Sequence, residues 1–152
     1  MTPRWRQARH FLRSARSGAS ALEFAIVAPA LLLLAIGIIE CGRLVWTAEA
    51  LQQSASETAR CMGILASGCT SGGGYSSTQT LSYLQGTATG WGVSLPSGDV
   101  TLSSSGSCGG ASGFSTVVVA YTFHTAVPNL ITPFANGITL NISACFPNQP
   151  TS

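Results

Sequence analysis

The chain begins polar and arginine-rich, then from Phe24 to Ile39 reads FAIVAPALLLLAIGII with no charged or strongly polar side chain. With Ala19 to Glu23 ahead of it, the run reaches about the twenty residues that cross a bilayer core as helix, at roughly 1.5 Å per residue. A transmembrane helix is predicted over 19–40. Pro29 stands near its start, where it bends a spanning helix without ending it. Beyond the membrane segment, Leu44, Ala48, Leu51, Ala55, Ala59 and Met62 recur at spacings of three and four, opposite Glu49, Gln52, Gln53, Ser56, Glu57 and Arg60. That is a helical stripe, and it predicts an amphipathic stalk over 41–66 that continues the membrane helix and covers a domain of its own chain. Glu40 with Arg43 and Glu57 with Arg60 are spaced to pair weakly on it.

The period then changes. SGCTSGGGYSS, residues 67–77, is a glycine and serine loop that ends the stalk. Leu81, Leu84 and Ala88 fit a short helix from Gln79 to Thr89, before Gly90. After Pro96, Val100 and Leu102, then Val117, Val119, Tyr121 and Phe123, then Ile138, Leu140, Ile142 and Ala144 alternate with mostly polar residues, which predicts three strands. Pro128 and Pro133 bracket the last connection, and Asn136-Gly137 is a turn signal opening the final strand. The fold class expected is α+β: a long N-terminal transmembrane and amphipathic helix followed, over 67–152, by a small disulfide-linked antiparallel sheet with one face against the helices.

Charge sharpens this picture. Only 8% of residues are charged, against about 25% in an ordinary soluble domain, while 45% are apolar. High hydrophobicity with low net charge also excludes an intrinsically disordered chain. The basic residues are all arginine, and five of the seven (Arg4, Arg6, Arg9, Arg13 and Arg16) precede the apolar run. By the positive-inside rule the N-terminus is cytoplasmic and the rest is exported. A nucleic-acid partner would need basic residues on a folded face, and here they sit on a short tail.

Four cysteines, Cys61, Cys69, Cys108 and Cys145, fall on the exported side of the membrane, where disulfides form and persist. Their number and location argue for two disulfides. Three connectivities are open, with Cys61 to Cys69 and Cys108 to Cys145 preferred. A zinc site is disfavoured because no pair has CxxC spacing and the two histidines, His10 and His124, fall on opposite sides of the membrane. Beyond Arg60 the only side chain charged at neutral pH is Asp99 and the only histidine is His124. No serine sits in a G-x-S-x-G elbow, no carboxylates pair, and Gly72 to Gly74 lack the strand and Lys-Ser/Thr of a phosphate loop. Asp99 reads as a turn residue and His124 as a strand end, so no enzyme is expected.

Glu23 is the residue hardest to explain by packing, since an acid inside a spanning helix costs about 2.5–3.5 kcal/mol at the centre and less near an end. Ordinary signal peptidase cleavage is disfavoured because IIECGRLVW offers no small-x-small site, and Glu40 before Cys41 fits a lipoprotein site poorly. A cut after Gly18 would instead make Ala19 the N-terminus, with its α-amino group one helical turn from Glu23. The carboxylate would then offset that amine, its own or a neighbouring subunit's, and suit the helix dipole. The alternative is a Glu23 that marks the headgroup boundary with no specific partner.

The run GASALEFAIVAPALLLLAIGIIECGRLVWTAEALQQSASETAR, Gly18 to Arg60, resembles the N-terminal signature of TadE-like pseudopilins, minor pilin-like proteins of tight-adherence (Flp-type) pilus systems. The matching positions are Ala21, Leu22, Glu23, Phe24, Ala28, Pro29, Glu40, Gly42 and Arg43. VVVAYTFHTAVPNLITPF and GITLNISACF are similar to the family's C-terminal half. The resemblance implies cleavage by a prepilin peptidase between Gly18 and Ala19, ahead of the Glu23-Phe24 pair, with Glu23 required for processing or assembly. Residues 1–18 would be a discarded leader. The implied partners are other pilins or pseudopilins, the pilus assembly platform and membrane lipid, with no cofactor and no small-molecule substrate. The implied location is the bacterial inner membrane, in a single pass. Cys41 departs from the family's Glu-x-Gly-Arg element, where a small or apolar residue would be unremarkable; a buried, inert thiol is favoured over a free or intermolecular one. The competing reading is a membrane-anchored envelope protein whose domain binds a ligand or surface.

Overall fold

The structure is a computed structural model that describes residues 4–127 and 136–149, with the backbone alone described for residues 4–17 and 19. Pro128 and Pro133 therefore lie outside the described residues. The chain divides into two units, Met1–Cys41 and Gly42–Ser152. The first is helical throughout its described length, part of α1 (Arg4–Gly63), which contains Pro29 and runs on into the second unit.

In the second unit, the elements after α1 are β1 (Thr70–Ser71), β2 (Gly74–Tyr75), α2 (Ser77–Gly90), β3 (Val100–Cys108), β4 (Ala111–Phe123) and β5 (Ile138–Pro147). The last three form an antiparallel sheet in the order β3-β4-β5. Along β4 the inward positions Val117, Val119 and Phe123 are buried while Val118 and Ala120 are exposed, and β5 alternates strictly between half-buried and exposed. One sheet face thus meets the helices. The core joins Leu51, Ala55, Ala59 and Met62 of α1 to Leu84 and Ala88 of α2, Val93 and Leu95 of the following turn, and Val117 and Val119.

The buried face of α1 is more polar than its apolar stripe predicts. Leu44 and Ala48 are only half-buried, whereas Thr47, Ser54 and Thr58 are buried beside Ala50, Leu51 and Ala55. Each hydroxyl donates to the carbonyl one turn earlier, Thr47 to Arg43 at 2.9 Å, Ser54 to Ala50 and Thr58 to Ser54 at 2.8 Å. These bonds satisfy the polar groups within the helix, so the small side chains pack inward without an unpaired donor. Glu57 accepts from Gln53 Nε2 at 2.9 Å, in place of the expected pairing with Arg60.

Both helices end in the same way. At the end of α1, Leu65 N–H donates to Met62 O at 3.2 Å and Ala66 N–H to Cys61 O at 3.0 Å; at the end of α2, Gly92 donates to Thr89 at 2.9 Å and Val93 to Ala88 at 3.0 Å. This is the Schellman arrangement, which turns the chain through one left-handed residue. In α2 that residue is Gly92 (φ 81°), so the helix includes Gly90, one residue beyond the Thr89 end expected from the sequence. In α1 it is Leu65 (φ 51°), a conformation that a side chain disfavours. The start of α2 is capped by Ser76, whose hydroxyl accepts from Gln79 N–H at 3.4 Å.

Two tight hairpins stand where the sequence suggests loops. Gly72 and Gly73 turn β1 into β2, and Gly109 and Gly110 turn β3 into β4, all four with positive φ. Two consecutive positive-φ residues suit the two-residue turns that match strand twist. Cys108 consequently ends a strand.

The last residue of α1 tests this packing. A Cβ on Gly63 would stand 2.6 Å from Phe146 Cδ1 and 3.0 Å from the Pro147 carbonyl oxygen. Gly63→Ala is expected to destabilise the domain by about 1–2 kcal/mol, since overpacking outweighs the gain in helix propensity. Thermal unfolding followed by circular dichroism checks this as a lowered Tm.

Candidate functional site

The segment Gly18 to Phe24 lies inside α1, and its described side chains are exposed, Leu22 at 65% and Phe24 at 73%. A Cβ on Gly18 would meet nothing within 4 Å. Glu23 is exposed, and the helix sets it four residues from Ala19, one turn away. The backbone therefore brings the Ala19 nitrogen and the Glu23 position to the same side of the helix.

Leu31, Leu32, Leu33 and Leu34 are all at least half exposed. Four consecutive residues point around nearly the whole circumference of a helix, so this part of α1 is apolar on every side. A helix apolar all round needs an apolar surrounding, unlike the one-sided stripe that buries Leu51, Ala55 and Met62. Among the described residues, α1 from Ser20 is a helix long and apolar enough to cross a membrane.

Past this run, Glu40 is buried at 7% exposure. Arg43 places its guanidinium 5.5 Å from the centroid of Phe123, at the end of β4, in cation-π contact. Cys41 between them is a free and exposed thiol, which overturns the expectation that it is buried.

The other four cysteines form two bonds. Cys61–Cys69 fastens the last turn of α1 to the loop after it, with the Cα atoms 5.9 Å apart. Cys108–Cys145 joins β3 to β5, the strands flanking β4, with the Cα atoms 6.4 Å apart. Asn148 reinforces the same end of the sheet, donating from Nδ2 to Ser104 O at 2.7 Å and accepting from Ser115 Oγ at 2.6 Å.

Asp99 closes a short 3-10 turn before β3, and His124 is exposed just after β4. Among the described residues no group of three or more His, Cys, Asp or Glu side chains is placed to hold a metal. Burial pushes the Tyr75 phenol above its usual pKa, partly offset by its hydrogen bond with Thr80, so it stays neutral at physiological pH. Sequence reasoning passed over Trp46 and Trp91, which meet across the surface of this unit. A tryptophan two turns beyond an apolar run was the available signal for the first; nothing local marked the second.

An N-terminal helix apolar on all sides, a candidate membrane anchor, is thus followed by a disulfide-linked α+β domain. The TadE-like protein family matches residues 18–60, from the glycine ahead of the apolar run to the last arginine. Over that segment the chain is similar to TadE-like proteins, as its motifs suggest, consistent with a protein of tight-adherence pilus systems. No curated protein and no solved structure gave a significant match.

Proposed function

We propose that this chain is a pseudopilin-like component of a tight-adherence pilus system, held in the bacterial inner membrane by residues 19–40 and processed by a prepilin peptidase after Gly18. The observation that carries this reading is the coincidence of two boundaries: the TadE-like match begins at Gly18, where the arginine-rich leader gives way to the apolar helix. The leader orients the chain with its N-terminus in the cytoplasm. The stalk, 41–66, and the domain, 67–152, lie outside.

The mechanism is assembly rather than catalysis. The peptidase cuts the Gly18–Ala19 bond and frees an amine at the start of the helix. Glu23, one turn on, offsets that positive charge, either on its own chain or on a neighbouring pilin, and this compensates for an acid in an apolar helix. The helix stays in the bilayer until the assembly platform brings it against other pilins or pseudopilins.

Mass spectrometry of the mature protein tests the reading. A chain beginning at Ala19 is expected, and an intact N-terminus or an acylated Cys41 would sink it. A Glu23→Ala chain is expected to lose piliation; if it is both processed and competent for piliation, Glu23 has no such role.

A further inference from the structure

Trp46 and Trp91 lie 45 residues apart in sequence, yet their rings meet edge to face with centroids 5.9 Å apart and planes at 64°. Trp46 Nε1 donates to the Trp91 carbonyl at 3.2 Å, so its polar edge is satisfied. Trp91 is the cap residue of α2, held by the Gly92 turn described above. Both rings are nevertheless open, at 59% and 44% exposure. With Glu49, Ala50 and Gln53, which follow Trp46 by three, four and seven residues on one helix face, they line a cleft of about 270 Å³.

The chemistry of this cleft selects a cation. It is lined by two tryptophan rings, whose π systems attract positive charge, and by the Glu49 carboxylate, which has no hydrogen bond or ion pair among the described residues. The Gln53 amide nitrogen is already committed to Glu57. Ammonium groups carrying methyl or methylene shells fit such aromatic walls. An anion would meet the Glu49 carboxylate.

The position indicates which cation. Trp46 follows Ile39 by seven residues, two helical turns past the apolar run, and Val45 beside it is exposed. Tryptophan is favoured at the headgroup level of a bilayer, where its ring is amphipathic. We propose that the Trp46–Trp91 cleft binds the ammonium of a zwitterionic phospholipid headgroup at the outer surface of the membrane that α1 crosses. The inference rests on the membrane-anchor reading and extends it from the helix to a site that only the folded domain completes.

The test uses the full chain with Trp5→Phe, so that fluorescence comes from Trp46 and Trp91 alone. The protein is reconstituted into phosphatidylglycerol vesicles containing either phosphatidylcholine with a nitroxide on its ammonium or phosphatidylglycerol with a nitroxide high on an acyl chain. Flotation with the vesicles is read first; a chain that does not float overturns the anchor reading and the cleft with it. In a floating chain, Glu49→Gln is expected to lower quenching by the ammonium nitroxide by up to about fivefold, the upper range of an exposed ion pair. Glu49→Lys is expected to lower it further. Quenching by the acyl nitroxide stays unchanged in both. If neither variant alters the ratio of the two quenchers, the tryptophans merely lie at the interface and the cleft has no ammonium ligand. Selective protection by an added lysine-rich peptide, with no lipid preference, would assign the cleft to a protein cation and also overturn the proposal.

Discussion

A Gly18→Leu chain is expected to keep all 152 residues, while the natural chain loses residues 1–18. The change discriminates well because a side chain at position 18 would meet nothing within 4 Å. It therefore leaves the fold intact and acts at the bond to be cut. Leucine also has good helix propensity, so α1 gains rather than loses local stability at that position. The result is read by mass and by charge. Cleavage removes five of the seven arginines and none of the five acids, which turns a formal +2 into −3. Isoelectric focusing should place the mature natural protein well to the acid side of the uncut variant. A Gly18→Leu chain trimmed at the same bond would remove glycine from the recognition proposed, and a natural chain that never shifts would remove the cleavage itself.

Loss of the Cys108–Cys145 bond is expected to destabilise the folded domain more than loss of Cys61–Cys69. The reason is the length of chain each closes. The separations are 37 and 8 residues, and the entropy withheld from the unfolded chain corresponds to about 4 and about 2.5 kcal/mol. The longer link also ties together β3 and β5, which bond to β4 but not to each other. Double serine variants, one pair at a time, separate the two under denaturant. The pair 108/145 should show the lower midpoint, and the reverse order would show that the Cys61–Cys69 link holds more than its loop. Tyr75 makes no contribution to this difference near neutral pH, because burial keeps its phenol protonated there.

Several features of the fold were legible because they depend on neighbours in sequence. The apolar run Phe24–Ile39 needs no partner to be recognised, and the alternation in β4 and β5 states which side chains face the core. The hairpin at Gly109-Gly110 was harder to read, since β3 continues through SSSGSC, where no apolar side chain marks the alternation. Glycine pairs with positive φ, rather than hydrophobic period, carry that turn. The stalk stripe was read one step too apolar. Thr47, Ser54 and Thr58 are buried because their hydroxyls bond to their own helix, an option that their polarity alone conceals.

The candidate processing segment is wholly a matter of sequence: Gly18, Ala19, Glu23 and Phe24 lie within two turns of helix, and helix geometry alone sets their spacing. The same holds for the membrane helix, whose character is a local density of apolar groups. The tertiary structure decided the rest. It chose one of three cysteine pairings, because only the sheet register brings residues 37 apart to a Cα distance of 6.4 Å. It exposed Cys41, which local hydrophobicity favoured burying. It also brought Trp91 to Trp46, since no periodic pattern can report a contact made across 45 residues by the packing of α2 on α1.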